Sequence, residues 1–241
     1  MIDKIYILCN INEEPDRYSN ILNQIKQLDI DQSKIEFFNY CWSSDITLEL
    51  YNFYCKTHKS QEISPSTGIS TLSKQQISLF LNYIECLKKI KNTNSNGNFI
   101  ILESDIIFYP KFIQNLNSIL ESINNIPDWD IINLGNGVFR LFGNEFPKTQ
   151  PVTLNNFHFY KENRNVCMEC ILWNYNSVCK IIEHFEKDND INGAIDVYID
   201  ALGVLSNDNN LFNIYWCSPS LGENGSITGR YKSLLINPLY A

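Results

Sequence analysis

Two acids close an apolar run near the middle of the chain, Asn98-Phe99-Ile100-Ile101-Leu102-Glu103-Ser104-Asp105-Ile106-Ile107-Phe108. If the strand continues through them, Glu103 and Asp105 point to the same side, because side chains alternate along a strand. Like charges at the rim of an apolar element repel, and a hard divalent cation with oxygen ligands relieves both. The competing reading is that the strand has surfaced and its acids are solvated. A second acidic pair, Asp196 and Asp200, lies one helical turn apart on a shared face. The polar loop 217–226 carries Glu223 and Asn224, and its turn chemistry lets it close beside Asp196. Cys167-Met168-Glu169-Cys170 is a lone Cys-x-x-Cys with no second pair and reads as structural thiols, not zinc or redox chemistry. His58, with no positioned partner in the sequence, reads as a solvated residue, and His158, between two aromatics, and His184, on the polar side of a helix pattern, read as packing and surface residues.

These residues need a scaffold, and the pattern supplies one. Residues 4–9 form a first strand, and Tyr18, Ile21, Leu22, Ile25 and Leu28 recur at helical spacing after a polar segment. Residues 35–40 form a second strand, parallel to the first by the right-handed crossover rule. From 41 to 71 the periodicity fades, and this stretch, with Ser64-Pro65-Ser66-Thr67-Gly68, reads as an excursion covering the active face. Ser73 and Gln76 make a capping box opening a helix with Ile77, Phe80, Leu81, Ile84 and Leu87 on one side. Pro110 starts another helix, and residues 128–135 give a strand closed by Gly135. Farther on, 137–159 reads as short strands and turns, Cys170 to Trp173 as a strand, residues 178–185 as a helix and 212–216 as a late strand. The alternation specifies an α/β domain with a mostly parallel, Rossmann-type sheet and helices on both faces. Ligands of such sheets sit at the carboxyl ends of the strands, where Glu103 and Asp105 fall.

At 241 residues, with 44% hydrophobic content, the chain is long enough for one sizeable core and is read as a single domain, 1–241. Within it, 1–135 carries the Glu103 and Asp105 pair and 136–241 the Asp196 and Asp200 pair, and the resemblance described next implies that these are a nucleotide-sugar and metal half and an acceptor half. A formal charge of -8 argues against a phosphate-backbone binder, so nucleic acid is not an expected partner. Eight cysteines scattered through apolar patterns suit a reducing compartment. No signal core and no membrane-length apolar run is found, so the expected location is cytoplasmic.

Four blocks together resemble glycosyltransferase family 25, the lipopolysaccharide-biosynthesis and collagen-galactosyltransferase type, along nearly the whole chain. Residues 4–17 resemble the family's opening strand and Pro-Asp-Arg segment, 100–108 its Leu-Glu-Asp-Asp strand, and 129–135 its Trp-Asp strand ending in Leu-Gly. Ala194-Ile195-Asp196 resembles its Pro-x-Asp element, and Pro219-Ser220-Leu221 with Ser226-Ile227 its tail. The chain departs from the pattern at Ser104, where the family has its middle acid, at Asn82-Tyr83 in place of Ser-His, and at Ala194 in place of proline. The resemblance implies a GT-A-like fold that transfers galactose or glucose from a UDP-sugar to a glycan or hydroxylated protein acceptor, with Mn2+ or Mg2+. It implies Asp105 and Glu103 as metal ligands, Asp196 as catalytic base, and Leu8, Asn10, Arg17 and Ser104 on the nucleotide-sugar. Asp200, Glu223 and Asn224 fall on the acceptor side. Because of the departures, a catalytically impaired nucleotide-sugar-binding module is the alternative expectation.

Overall fold

The computed structural model describes residues 2–57, 72–137, 139, 149–162, 167–188, 193–204 and 212–232. The elements run β1 (Ile2–Leu8), α1 (Pro15–Gln27), β2 (Ile35–Phe38), α2 (Leu48–Thr57), α3 (Lys74–Lys91), β3 (Asn98–Glu103), β4 (Ile106–Phe108), α4 (Phe112–Ser122) and β5 (Ile131–Asn133). There follow β6 (Val152–Leu154), β7 (Phe157–Lys161), β8 (Cys170–Asn174), α5 (Tyr175–Asp188), α6 (Ile195–Val204), β9 (Ile214–Ser218) and β10 (Gly222–Asn224).

Eight strands form one sheet in the order β2-β1-β3-β8-β5-β9-β7-β6. β1 pairs in parallel with β2 and β3, and β5 in parallel with β9. β8 is antiparallel to both β3 and β5, and β7 antiparallel to β9 and β6. The sheet is therefore mixed. The helix-linked strands β1, β2, β3 and β5 share one direction, as the crossover rule requires. The reversal enters from the second half of the chain, where β8 slots between β3 and β5.

Each central strand alternates between two cores. Tyr6, Leu8, Phe99, Ile101, Ile171 and Trp173 face α3, α5 and α6 through Phe80, Ile84, Ile181, Ile195 and Tyr198. Ile5, Ile7, Ile100, Leu102, Cys170 and Leu172 face α1 and α4 through Ile21, Ile25, Phe112, Leu116 and Ile119. The continuous apolar runs are what a sheet covered on both faces demands. Each fully buried Leu, Ile or Phe contributes about 1.5–3 kcal/mol relative to exposure.

The predicted capping box on α3 is formed, with Ser73 Oγ accepting from Gln76 N (3.1 Å) and Gln76 Oε1 from Ser73 N (2.8 Å). Asn82 Oδ1 accepts from Tyr40 N (2.7 Å) and Tyr83 donates its hydroxyl proton to Met168 O (2.6 Å), so these two buried residues pin flanking loops to α3.

Two readings are corrected. The stretch 41–71 is not an irregular excursion throughout, since α2 occupies Leu48–Thr57; residues 58–71, with His58 and Ser64 to Gly68, lie outside the described residues. The strand does not run through both acids either. β3 ends at Glu103, Ser104 and Asp105 form a turn, and β4 leaves the main sheet to pair antiparallel with β10. The described cysteines, Cys167 and Cys170 included, are free thiols. Among the described residues no helix is long and apolar enough to cross a membrane.

Candidate functional site

A cavity of about 450 Å³ opens at the carboxyl ends of β1 and β3. Its wall takes Leu8 from β1, Arg17 from the first turn of α1, Glu103 from the end of β3, Ser104 and Asp105 from the following turn, Asp196 from the first turn of α6, and Asn224 from β10. All seven belong to the site residues expected from sequence. Trp42, Gln75, Gln76, Cys167, Met168 and Ser226 complete much of the remainder. Glu103 and Asp105 share the cavity because the turn folds back, not because they alternate along one strand.

Three expected residues are not in this wall. Asn10 shapes the loop after β1, its Oδ1 accepting from the amides of Asn12 (2.9 Å) and Glu13 (3.3 Å). That oxygen is thereby committed to the turn. Glu223 is buried on β10, where Oε2 accepts from the Tyr109 hydroxyl (3.3 Å) and Oε1 pairs with Arg230 Nε (3.1 Å). Asp200, one turn farther along α6 than Asp196, is half-buried outside the cavity.

One side of the cavity is cross-linked around Arg17. Its Nη1 donates to Glu14 Oε1 (3.1 Å) and Ser104 Oγ (2.9 Å), and Ser104 in turn donates to Glu14 Oε1 (2.7 Å). Its Nη2 donates to Ser226 Oγ (3.3 Å) and Lys232 O (2.7 Å), and Ser226 donates to Asp105 Oδ2. The guanidinium also lies 5.4 Å from the centre of the Tyr231 ring. Thus two serines relay one arginine to two carboxylates. Pro15 at the start of α1 has the preset φ that suits a first helical turn, which brings Arg17 to this edge.

The other side is acidic and less compensated. Burial holds the Glu103 carboxyl well above its ordinary range, and Asp105, Glu169 and Asp196 push it further up against the opposing Arg17. Burial also raises Asp196, although the amides of Val197 and Cys167 favour its charged form, Val197 N donating to Oδ1 at 2.9 Å. Cys167 has a left-handed backbone (φ 74°), and burial followed by the charge of Glu169 keeps its thiol protonated. Glu169 is fully buried beside this residue; burial lifts it to about 7 despite a 2.7 Å hydrogen bond from Gly137 N to Oε1.

Glu14, Glu169, Trp42 and Ser226 escaped the sequence reading as site residues. Glu169 lies inside the Cys-x-x-Cys, where the thiols drew the reading; its only signal was an acid immediately ahead of the apolar run 170–173. Among the described residues no group of three or more His, Cys, Asp or Glu side chains that could hold a metal ion is formed. The donors nonetheless suit a hard cation: Asp105 Oδ1 is buried without a hydrogen-bond partner among the described residues, and Mg2+-type sites commonly use one or two carboxylates and fill the remainder with substrate phosphates and water. Among known proteins, no family model and no curated sequence matches the chain.

Proposed function

We propose that the protein is a metal-dependent glycosyltransferase that moves a hexose, galactose or glucose, from a UDP-sugar to an acceptor hydroxyl with inversion. The observation that carries this reading is the convergence of Leu8, Arg17, Glu103, Ser104, Asp105, Asp196 and Asn224, from distant parts of the sequence, on one cavity at the carboxyl edge of parallel strands. That edge is where α/β sheets bind nucleotides. Asp105 and Glu103 are the residues that would hold Mn2+ or Mg2+, which when bound neutralises charge on a departing diphosphate.

Asp196 is the candidate base. Its carboxylate is steadied by backbone amides, and its burial raises its affinity for the proton of an attacking hydroxyl. The acceptor then belongs beside α6, and Asn224 shares the wall with it. Also in the wall, Leu8 gives an apolar surface at the end of β1 and Ser104 a hydroxyl already ordered by Glu14.

One observation favours the second reading, a nucleotide-sugar-binding module without turnover: both terminal nitrogens of Arg17 are engaged by Glu14, Ser104, Ser226 and Lys232, so a diphosphate must compete for them. The test is UDP binding with and without Mn2+, followed by turnover. Asp105→Ala and Glu103→Ala are expected to remove the metal dependence of UDP binding; unchanged dependence in both defeats the donor-site assignment. Asp196→Asn is expected to keep UDP binding and lower donor turnover by about 10²–10⁴-fold. Metal-dependent UDP binding with no turnover of any UDP-sugar supports the binding module.

A further inference from the structure

We propose that residues 226–232, the strap that follows β10, are an autoinhibitory latch, which holds one half of the Arg17 guanidinium closed and which a diphosphate displaces on binding; the latch rests on the donor-site reading above. The two halves of Arg17 are held differently. Nη1 donates to the buried carboxylate of Glu14 (3.1 Å) and to the Ser104 hydroxyl (2.9 Å). Among the described residues Nη2 donates to neutral oxygens, Ser226 Oγ (3.3 Å) and Lys232 O (2.7 Å), and the Tyr231 ring stands 5.4 Å from the guanidinium. These three residues all belong to the strap. A phosphate oxygen makes stronger, charge-assisted bonds to a guanidinium than a hydroxyl or a carbonyl does. A diphosphate therefore takes Nη2 from the strap, whereas Glu14, itself charged, keeps Nη1.

The strap is folded on itself and seated on the wall from outside. Arg230 N and Tyr231 N both donate to Gly225 O (2.8 and 3.0 Å), which closes the strap on the glycine that precedes it. A Cβ at 225 would lie 2.4 Å from the Tyr231 ring and 2.7 Å from Asp105 O, so the ring reaches Arg17 past this residue only because it is glycine. Ile227, Gly229, Arg230 and Lys232 are exposed. Side-chain ties fasten the strap to the body: Asn20 Nδ2 donates to the Tyr231 hydroxyl, and Arg230 Nε pairs with Glu223 Oε1 (3.1 Å).

Release of the strap reaches the acids as well. Ser226 Oγ, which accepts from Arg17, also donates to Asp105 Oδ2, while Asp105 Oδ1 is buried with no hydrogen-bond partner among the described residues. Lifting Ser226 frees both oxygens of the carboxylate assigned to the cation. The closed strap thus lowers the affinity for cation and diphosphate together, and each ligand, by opening it, eases the entry of the other.

The test is calorimetric titration of the full chain with UDP and with inorganic pyrophosphate, each in the presence of Mn2+, alongside ligand-free thermal midpoints. Tyr231→Ala removes the ring beside Arg17 and the partner of Asn20. It is expected to bind both ligands about tenfold more tightly, because a larger share of the molecules has Arg17 open, while its midpoint falls. Asn20→Ala leaves the strap sequence intact and is expected to tighten binding by roughly two- to threefold, which keeps the test available where Tyr231→Ala does not fold. Hydrogen exchange of residues 226–232 in the wild-type chain is expected to quicken when UDP and Mn2+ are added. Unchanged or weakened ligand affinity in both variants, or exchange in the strap that stays the same or slows on binding, overturns the latch and leaves the donor site standing. No binding of UDP or pyrophosphate by the wild-type chain or either variant overturns both.

Discussion

On one side of the cavity, Arg17 reaches Glu14 through Ser104 and Asp105 through Ser226, so among the described residues the one arginine of its wall is spent on internal balance. On the other, Glu103 is opposed by the charge of Arg17, while Asp196 and Glu169, which is buried near the wall, are opposed by backbone amides; burial raises the proton affinity of all three. Similar residue types thus give one wall that is satisfied except at the buried Oδ1 of Asp105, and one that stores unfavourable electrostatics. A cation gains most by binding where charge is least compensated. The contrast assigns the first wall to architecture and the second to chemistry.

The largest expected effect breaks the first wall. Arg17→Ala leaves Glu14, whose side chain is only 4% exposed, as an unpaired buried charge and strips both serines of a donor. Losing one partner of a buried pair costs about 3–5 kcal/mol. Arg17→Lys should recover part of that and not all, because an ammonium cannot fork toward two serines. Urea unfolding of the three proteins checks this, and a loss below about 1 kcal/mol in Arg17→Ala would mean that the guanidinium does not hold the wall together.

The next effect concerns the second wall and has a defined sign with pH. Glu169 is raised from 4.5 to about 7 in the folded protein. A raised carboxyl gives its full stabilising contribution below the unfolded value, near 4.5, and loses it as pH climbs through about 7. Glu169→Gln does not titrate. Its stability relative to wild type should therefore rise between pH 4.5 and 8, by on the order of 3 kcal/mol at about 1.4 kcal/mol per unit. The difference between the two unfolding free energies, measured across pH in the absence of divalent metal, isolates this residue from the other acids. A difference that stays flat means Glu169 is not held in its protonated form by its surroundings.

The second wall was also the harder one to read. Strand β3 and helix α3 follow from apolar run length and from a stripe at helical spacing, signals that are local in sequence. Glu103, Asp105 and Asp196 stood out because acids at strand ends or helix starts have short-range signatures. Glu169 has none, since its carboxylate becomes relevant only when β8 inserts antiparallel between β3 and β5, a long-range pairing no local pattern encodes. Glu14 is similar: an acid in a polar loop becomes a buried ion-pair partner once Ser104, ninety residues away, arrives beside it. The pleat argument placed Glu103 and Asp105 together for the wrong reason, because the turn at Ser104 ends β3. Asn10 lies outside the cavity wall because its side-chain oxygen closes an Asx turn.

The smallest effect sharpens the comparison inside the first wall, where the two serine relays look equivalent and are not. Arg17 Nη1 contacts Glu14 directly at 3.1 Å, so Ser104→Ala removes a relay while the ion pair beside it persists. Among the described residues Asp105 takes a side-chain hydrogen bond from Ser226 alone, and its other oxygen has no partner. Ser226→Ala therefore leaves both Asp105 oxygens unpaired and should cost about 1–3 kcal/mol, whereas Ser104→Ala should cost about 0.5–1.5 kcal/mol. The ordering is the informative part. Added Mn2+ should restore Ser226→Ala more than Ser104→Ala in thermal midpoint, because only the former exposes an Asp105 oxygen that a cation can take up. Equal losses and equal rescue would place Asp105 in the satisfied wall with Glu14 and leave the metal chemistry to Glu103 and Asp196.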